Sequence, residues 1–91
     1  MEADEGDVEA ARSLLSRALQ AHPSSSSCLL LLARLDSREG QIDRARDLYR
    51  QALEASPSSA RVLSEAARFE RGQGRLADAE RLLQAALHLG A

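Results

Sequence analysis

One spacing governs how this chain can fold: 34 residues. Gly6, Gly40 and Gly74 stand 34 apart, as do Ala11, Ala45 and Ala79, then Leu14, Leu48 and Leu82. Ala18, Ala52 and Ala86 follow the same rule, and so do Leu19, Leu53 and Leu87. Val8, Ile42 and Leu76 keep an apolar side chain at a further offset, and Pro23 and Pro57 recur at another. Coincidence at so many positions in one frame means a repeated structural unit that buries its apolar side against its neighbours.

Each unit reads as two helices. The first kind begins just after a glycine and covers Asp7–Ala21, Gln41–Ala55 and Arg75–Leu89. Its apolar stripe is Ile42, Ala45, Tyr49, Ala52 and Leu53 in one copy and Leu76, Ala79, Leu83, Ala86 and Leu87 in another. Steps of three and four place these on one helical face. The second kind spans about Ser25–Glu39 and Ser59–Gln73, with serines before it to cap free N–H groups. Its buried side is expected to hold Leu29, Leu32, Ala33 and Leu35, and then Leu63, Ala66, Ala67 and Phe69. Gly40 and Gly74 fall where a helix end needs a left-handed residue, and Pro23 and Pro57 close the preceding helix. The run Pro23-Ser24-Ser25-Ser26-Ser27 matches Pro57-Ser58-Ser59, so it is a turn with cap residues and not a linker.

Composition agrees. The 44% hydrophobic content is nearly all Leu and Ala, with two Val, one Ile, no Thr and no Trp. Strong helix formers without β-branched residues give an all-α chain. Ninety-one residues make a single domain. The repeat divides it into a partial unit, 6–23, and two full units, 24–57 and 58–91, an α-solenoid of about five helices in antiparallel hairpins. One cysteine, an acidic start and no long apolar run place the chain as soluble and intracellular, with no membrane partner. The first unit has only its second helix, because residues 1–6 are too few to form the partner. Solenoid ends need polar caps, yet Leu14, Leu15, Leu82, Leu83 and Leu87 fall near these ends. Either the chain is a piece of a longer protein or its uncapped ends self-associate.

In its second unit the chain resembles the tetratricopeptide repeat, through Gly40, Ala45, Tyr49, Ala52 and Pro57. It departs where that family has an aromatic and a glycine and this chain has Leu29 and Ala33. The runs Ala33-Arg34-Leu35-Asp36 with Gly40, and Ala67-Arg68-Phe69-Glu70 with Gly74, are similar to the half-a-TPR variant. The second helix of that variant is matched by Ala45-Arg46 and Ala11-Arg12, but not by Ala79-Glu80. The half-a-TPR resemblance implies a scaffold for protein–protein interaction within an RNA-processing complex; the ordinary repeat implies general peptide binding. It also suggests that Asp36 bonds across its hairpin to Arg46.

Catalysis finds little footing. His22 and His88 occupy different repeat positions, no Cys/His spacing suits a metal, and no serine is tied to a base. Cys28 aligns with Val62 and reads as a small core residue. The carboxylates alternate with arginines as solvated partners, such as Arg61 and Glu65. We therefore expect no enzyme activity, no metal and no cofactor.

The resemblance implies that the first helix of each hairpin lines a concave face. On it fall Leu30, Leu31, Arg34 and Arg38 from one copy and Arg61, Glu65, Arg68 and Arg71 from the next, with Ser27, Ser37 and Ser64 between them. Five arginines against one acid make a basic stripe on a chain of net charge −2. Four consecutive leucines cannot all face one core, so Leu30 or Leu31 is expected to meet solvent or a partner. Arginine forks fit carboxylates and phosphates. An acidic protein or peptide is the expected ligand, with RNA as the alternative. RNA ranks second because Tyr49 and Phe69, the only aromatics, are both core candidates and leave no stacking platform.

Overall fold

The computed structural model describes residues 5–90, with side chains for residues 8–89. Five helices follow one another: α1 (Glu5–Ala21), α2 (Ser26–Arg38), α3 (Ile42–Ala55), α4 (Ala60–Gly72) and α5 (Leu76–Gly90). Among the described residues there is no strand. The chain is thus an all-α solenoid of helical hairpins, with helix limits within two residues of those expected. What was expected of residues 1–4 and of position 91 lies outside the described residues. Gly6 sits inside the first turn of α1 rather than before it.

The turns explain why these helices stop where they do. Gly40 and Gly74 both have φ of 81°, a conformation that costs a side-chain-bearing residue and not glycine. Each closes a doubly bonded helix end. The Gln41 N–H donates to the Asp36 carbonyl at 2.8 Å and the Gly40 N–H to the Ser37 carbonyl at 3.2 Å. One repeat later, Arg75 donates to Glu70 at 2.9 Å and Gly74 to Arg71 at 3.0 Å. Carbonyls left over at the helix end are satisfied in this way. At the other kind of junction a proline starts a tight turn, and the following serine caps the next helix. Ser25 Oγ accepts from the Cys28 N–H and Ser59 Oγ from the Val62 N–H, each at 3.3 Å.

Packing follows the small residues. Helix α2 lies along α3 and α4 along α5, while α1 contacts α2, and α4 contacts both α3 and α2. Ala33, Ala45 and Ala52 are fully buried, because a methyl side chain lets two helix backbones approach closely. Around them gather Leu29, Leu30, Tyr49, Val62, Ala66 and Phe69. The Tyr49 and Phe69 rings meet at 4.9 Å with a 34° tilt, joining α3 to α4. An aromatic contact of this kind adds about 0.5–1.5 kcal/mol beyond the area it buries.

The helices α1, α3 and α5 are equivalents, and each has two apolar sides. One carries Leu14, Leu48 or Leu82 and serves the hairpin partner. The other carries Val8, Ile42 or Leu76 together with Leu19, Leu53 or Leu87 and serves the next hairpin. Both are at least partly covered in α3. Leu14 is exposed on α1, which has no hairpin partner among the described residues, and Leu76 and Leu87 are exposed on α5.

Candidate functional site

Helices α2 and α4 lie side by side and leave a groove of 340 Å³ between them. Arg34, Ser37 and Arg38 come from α2, and Glu65, Arg68 and Phe69 from α4, with Tyr49 beneath. Spacing along α2 also sets Leu31 in line with Arg34 and Arg38, and Leu31 is 42% exposed. Arg61 and Arg71 are exposed on α4 but are not among the residues that line this groove.

Leu30 does not belong to this surface. It is 2% exposed and shares a cluster with Val62 and Ala66, because α4 packs over that side of α2. Its equivalent on α4, Ser64, is exposed. Of the two central leucines, Leu31 is the one that meets solvent. Leu35, expected in the core, is only half-buried.

The arginines of the stripe are not alike. Glu65 accepts from Arg34 at 2.8 Å and stands 3.9 Å from Arg61. This single carboxylate holds two cations. Arg38, Arg68 and Arg71 have no carboxylate within 4 Å among the described residues. The contrast with the other face is plain. There a hollow of 430 Å³ lies between α3 and α5, but its cations are already matched. Arg46 bonds Glu70, Arg50 bonds Asp47, and Arg75 and Arg81 share Asp78. Unmatched positive charge is concentrated on the α2/α4 side.

The expected bond from Asp36 to Arg46 is not formed. Arg46 lies on the α3 stripe with Ile42, Tyr49 and Leu53, which meets α4, so its guanidinium reaches the next hairpin. It grips Glu70 through Nε and one terminal nitrogen, both at 3.1 Å, and its guanidinium carbon lies 5.4 Å from the Phe69 ring centre. Asp36 is met from the opposite side by Arg12 of α1, with Arg44 at 3.9 Å. Asp36 is fully buried, and its second oxygen makes no hydrogen bond. Arg12–Asp36 and Arg46–Glu70 are one device 34 residues apart: an arginine clamps the acid 24 positions ahead, on the next hairpin. That regularity was present in the sequence and is the signal that could have found it. The hydrogen bond to Asp36 raises the Arg12 pKa, and that to Glu70 raises the Arg46 pKa. Burial pushes the Tyr49 hydroxyl up.

Comparison with known proteins agrees with this geometry. The tetratricopeptide repeat model matches residues 2–47 and 37–90. The chain belongs to the tetratricopeptide repeat family. Repeats of this family generally mediate protein–protein interaction. Among solved structures, a crystal structure of MamA superposes with a TM-score of 0.81 at 20% identity, over 92% of this chain and 49% of MamA. A second, MamA MSR-1 C2, gives 0.77 at 23% identity, over 91% and 48%. The likeness is one of fold, and this chain spans about half the length of each MamA chain. No curated protein matches the sequence. Among the described residues, no helix is long and apolar enough to cross a membrane.

Proposed function

We propose that this tetratricopeptide repeat chain is an interaction scaffold that holds an acidic segment of a partner protein in the α2/α4 groove. The observation that carries the reading is the pair of guanidinium groups, Arg38 and Arg68, that line the groove with no carboxylate within 4 Å among the described residues, while its other cations are held by Glu65. Leu31 adds an apolar anchor at the edge. Arginines fixed on two packed helices are preorganised for bidentate carboxylates. Binding without catalysis is what such a surface does. The division into units 6–23, 24–57 and 58–91 is part of this proposal.

Half-a-TPR character and an RNA-processing setting draw support from Ala33-Arg34-Leu35-Asp36 and Ala67-Arg68-Phe69-Glu70 alone. Direct RNA binding is the weaker reading, since Tyr49 and Phe69 are both buried and offer no ring to a base.

The test is fluorescence anisotropy with a labelled Asp/Glu-rich peptide, a neutral peptide and a single-stranded RNA. The acidic peptide should bind. Arg68→Ala should weaken it about tenfold, the loss of one charge-assisted hydrogen bond. Glu65→Gln should tighten it by releasing Arg34 and Arg61. Preference for RNA, with affinity falling steeply as salt rises, would replace the peptide by RNA as ligand.

A further inference from the structure

We propose that the outer face of α5 is a second docking surface, for an amphipathic helix of a partner protein that carries an arginine or lysine opposite Glu80. The argument uses the chain's own two hairpin junctions as templates. On α3, the face toward α4 is Ile42, Arg46, Tyr49 and Leu53; on α1, the face toward α2 includes Arg12 and Leu19. Each of these helices receives the next one on that face. The equivalents on α5 are Leu76, Glu80, Leu83 and Leu87. Tyr49 is 5% exposed, whereas Leu83 is 38%, Leu76 64% and Leu87 73% exposed. A stripe that is partly or fully covered on α1 and α3 is therefore left bare on α5 by the described residues, with its apolar residues in the same register.

The charge on that stripe is inverted. Arg12 and Arg46 each clamp an acid on the incoming helix, Asp36 and Glu70. At the same position α5 presents Glu80, exposed and with no cation within 4 Å among the described residues. An incoming helix with an acid at its third-from-last position, as in α2 and α4, would set carboxylate against carboxylate. A basic residue there satisfies Glu80 as Arg46 satisfies Glu70. The same charge disfavours symmetric pairing of two α5 helices, which brings two Glu80 side chains together. The occupant is thus distinguished from this chain's own helices by one sign.

The probe is a stapled, preformed helical peptide of α4, residues 59–73, carrying Glu70→Arg, compared with the same stapled peptide retaining Glu70. Titrated against the full chain by anisotropy, the Glu70→Arg peptide should bind about tenfold more tightly. Glu80→Arg in the protein should reverse that preference, and because Glu80 is exposed this change leaves the fold intact. Leu87→Ser should abolish binding, while Leu14→Ser on α1 should not. Equal affinity of the two peptides, no saturable binding by either, or a preference unmoved by Glu80→Arg would overturn the proposal. So would a wild-type dimer in light scattering that Leu87→Ser dissolves, since a second copy would then own this face. Both peptides carry Arg68 and Arg71 alike, and no variant of the protein changes its own Arg38, Arg68 or Arg71, so the groove and the α5 face stand or fall separately.

Discussion

Removing the Arg46 side chain tests how the hairpins are joined. Its guanidinium donates two hydrogen bonds of 3.1 Å to Glu70, whose side chain is 13% exposed while that of Arg46 is 31% exposed. Hydrogen bonds to charged groups contribute about 1.5–3 kcal/mol, and partial exposure puts this pair near the lower figure, about 1.5 kcal/mol. The cation 5.4 Å from the Phe69 ring centre adds about 0.5–1 kcal/mol. Arg46→Ala should therefore cost about 2 kcal/mol, which for a chain of this size lowers Tm by roughly 10 °C. Urea unfolding followed by circular dichroism at 222 nm, run on Arg46→Ala, Glu70→Ala and the double variant, isolates the pair. The coupling should be about 1.5 kcal/mol, because the Phe69 contact survives Glu70→Ala. Arg46→Lys keeps the charge without the fork and should recover less than half. A coupling below about 0.3 kcal/mol would mean that apolar contact alone joins α3 to α4 and that the clamp is incidental.

Arg12→Ala should cost about 3 kcal/mol in urea unfolding, since it strands the fully buried Asp36, whereas Arg44→Ala, whose side chain is 64% exposed, should cost under about 0.5 kcal/mol; the reverse order would assign Asp36 to Arg44. Gly74→Ala meets no neighbouring atom, so its cost is purely conformational: φ of 81° makes it about 1 kcal/mol, and an unchanged urea midpoint would contradict the left-handed turn. The Tyr49 hydroxyl keeps its proton above the ordinary value because of burial. The stabilisation linked to it is full below pH about 10 and is lost as pH rises through the raised folded value. Absorbance at 295 nm should report ionisation of this sole tyrosine above pH 10, together with loss of helix signal; ionisation near 10 with the helices intact would show that the ring is accessible.

The helices were legible because every cue repeats. Gly40 and Gly74, Pro23 and Pro57, and Ala45 and Ala79 each do at one copy what they do at the next, and the left-handed glycines and serine caps appear as expected. What spacing could not resolve was which neighbour a side chain meets. Leu30 and Leu31 are adjacent and chemically identical, and only the position of α4 decides that one is buried and the other exposed. Asp36 and Arg46 looked like partners because both fall at half-a-TPR positions on the two helices of one hairpin, but the helical phase of Arg46 carries it around to α4. The basic stripe was visible as a list of arginines; that Glu65 holds Arg34 and lies near Arg61, leaving Arg38, Arg68 and Arg71, depends on side-chain reach across two helices.

The groove itself is tested most directly by nitrogen-15 correlation spectra of this 9.8 kDa chain during titration with the acidic peptide. Binding in the groove will move the backbone signals of Arg38, Arg68 and Arg71 and their side-chain Nε–H signals, together with Gln73, and leave Glu80 and Leu87 still. Shifts confined to α5 or α1, or no shifts at peptide concentrations that saturate the anisotropy signal, would contradict a binding site between α2 and α4.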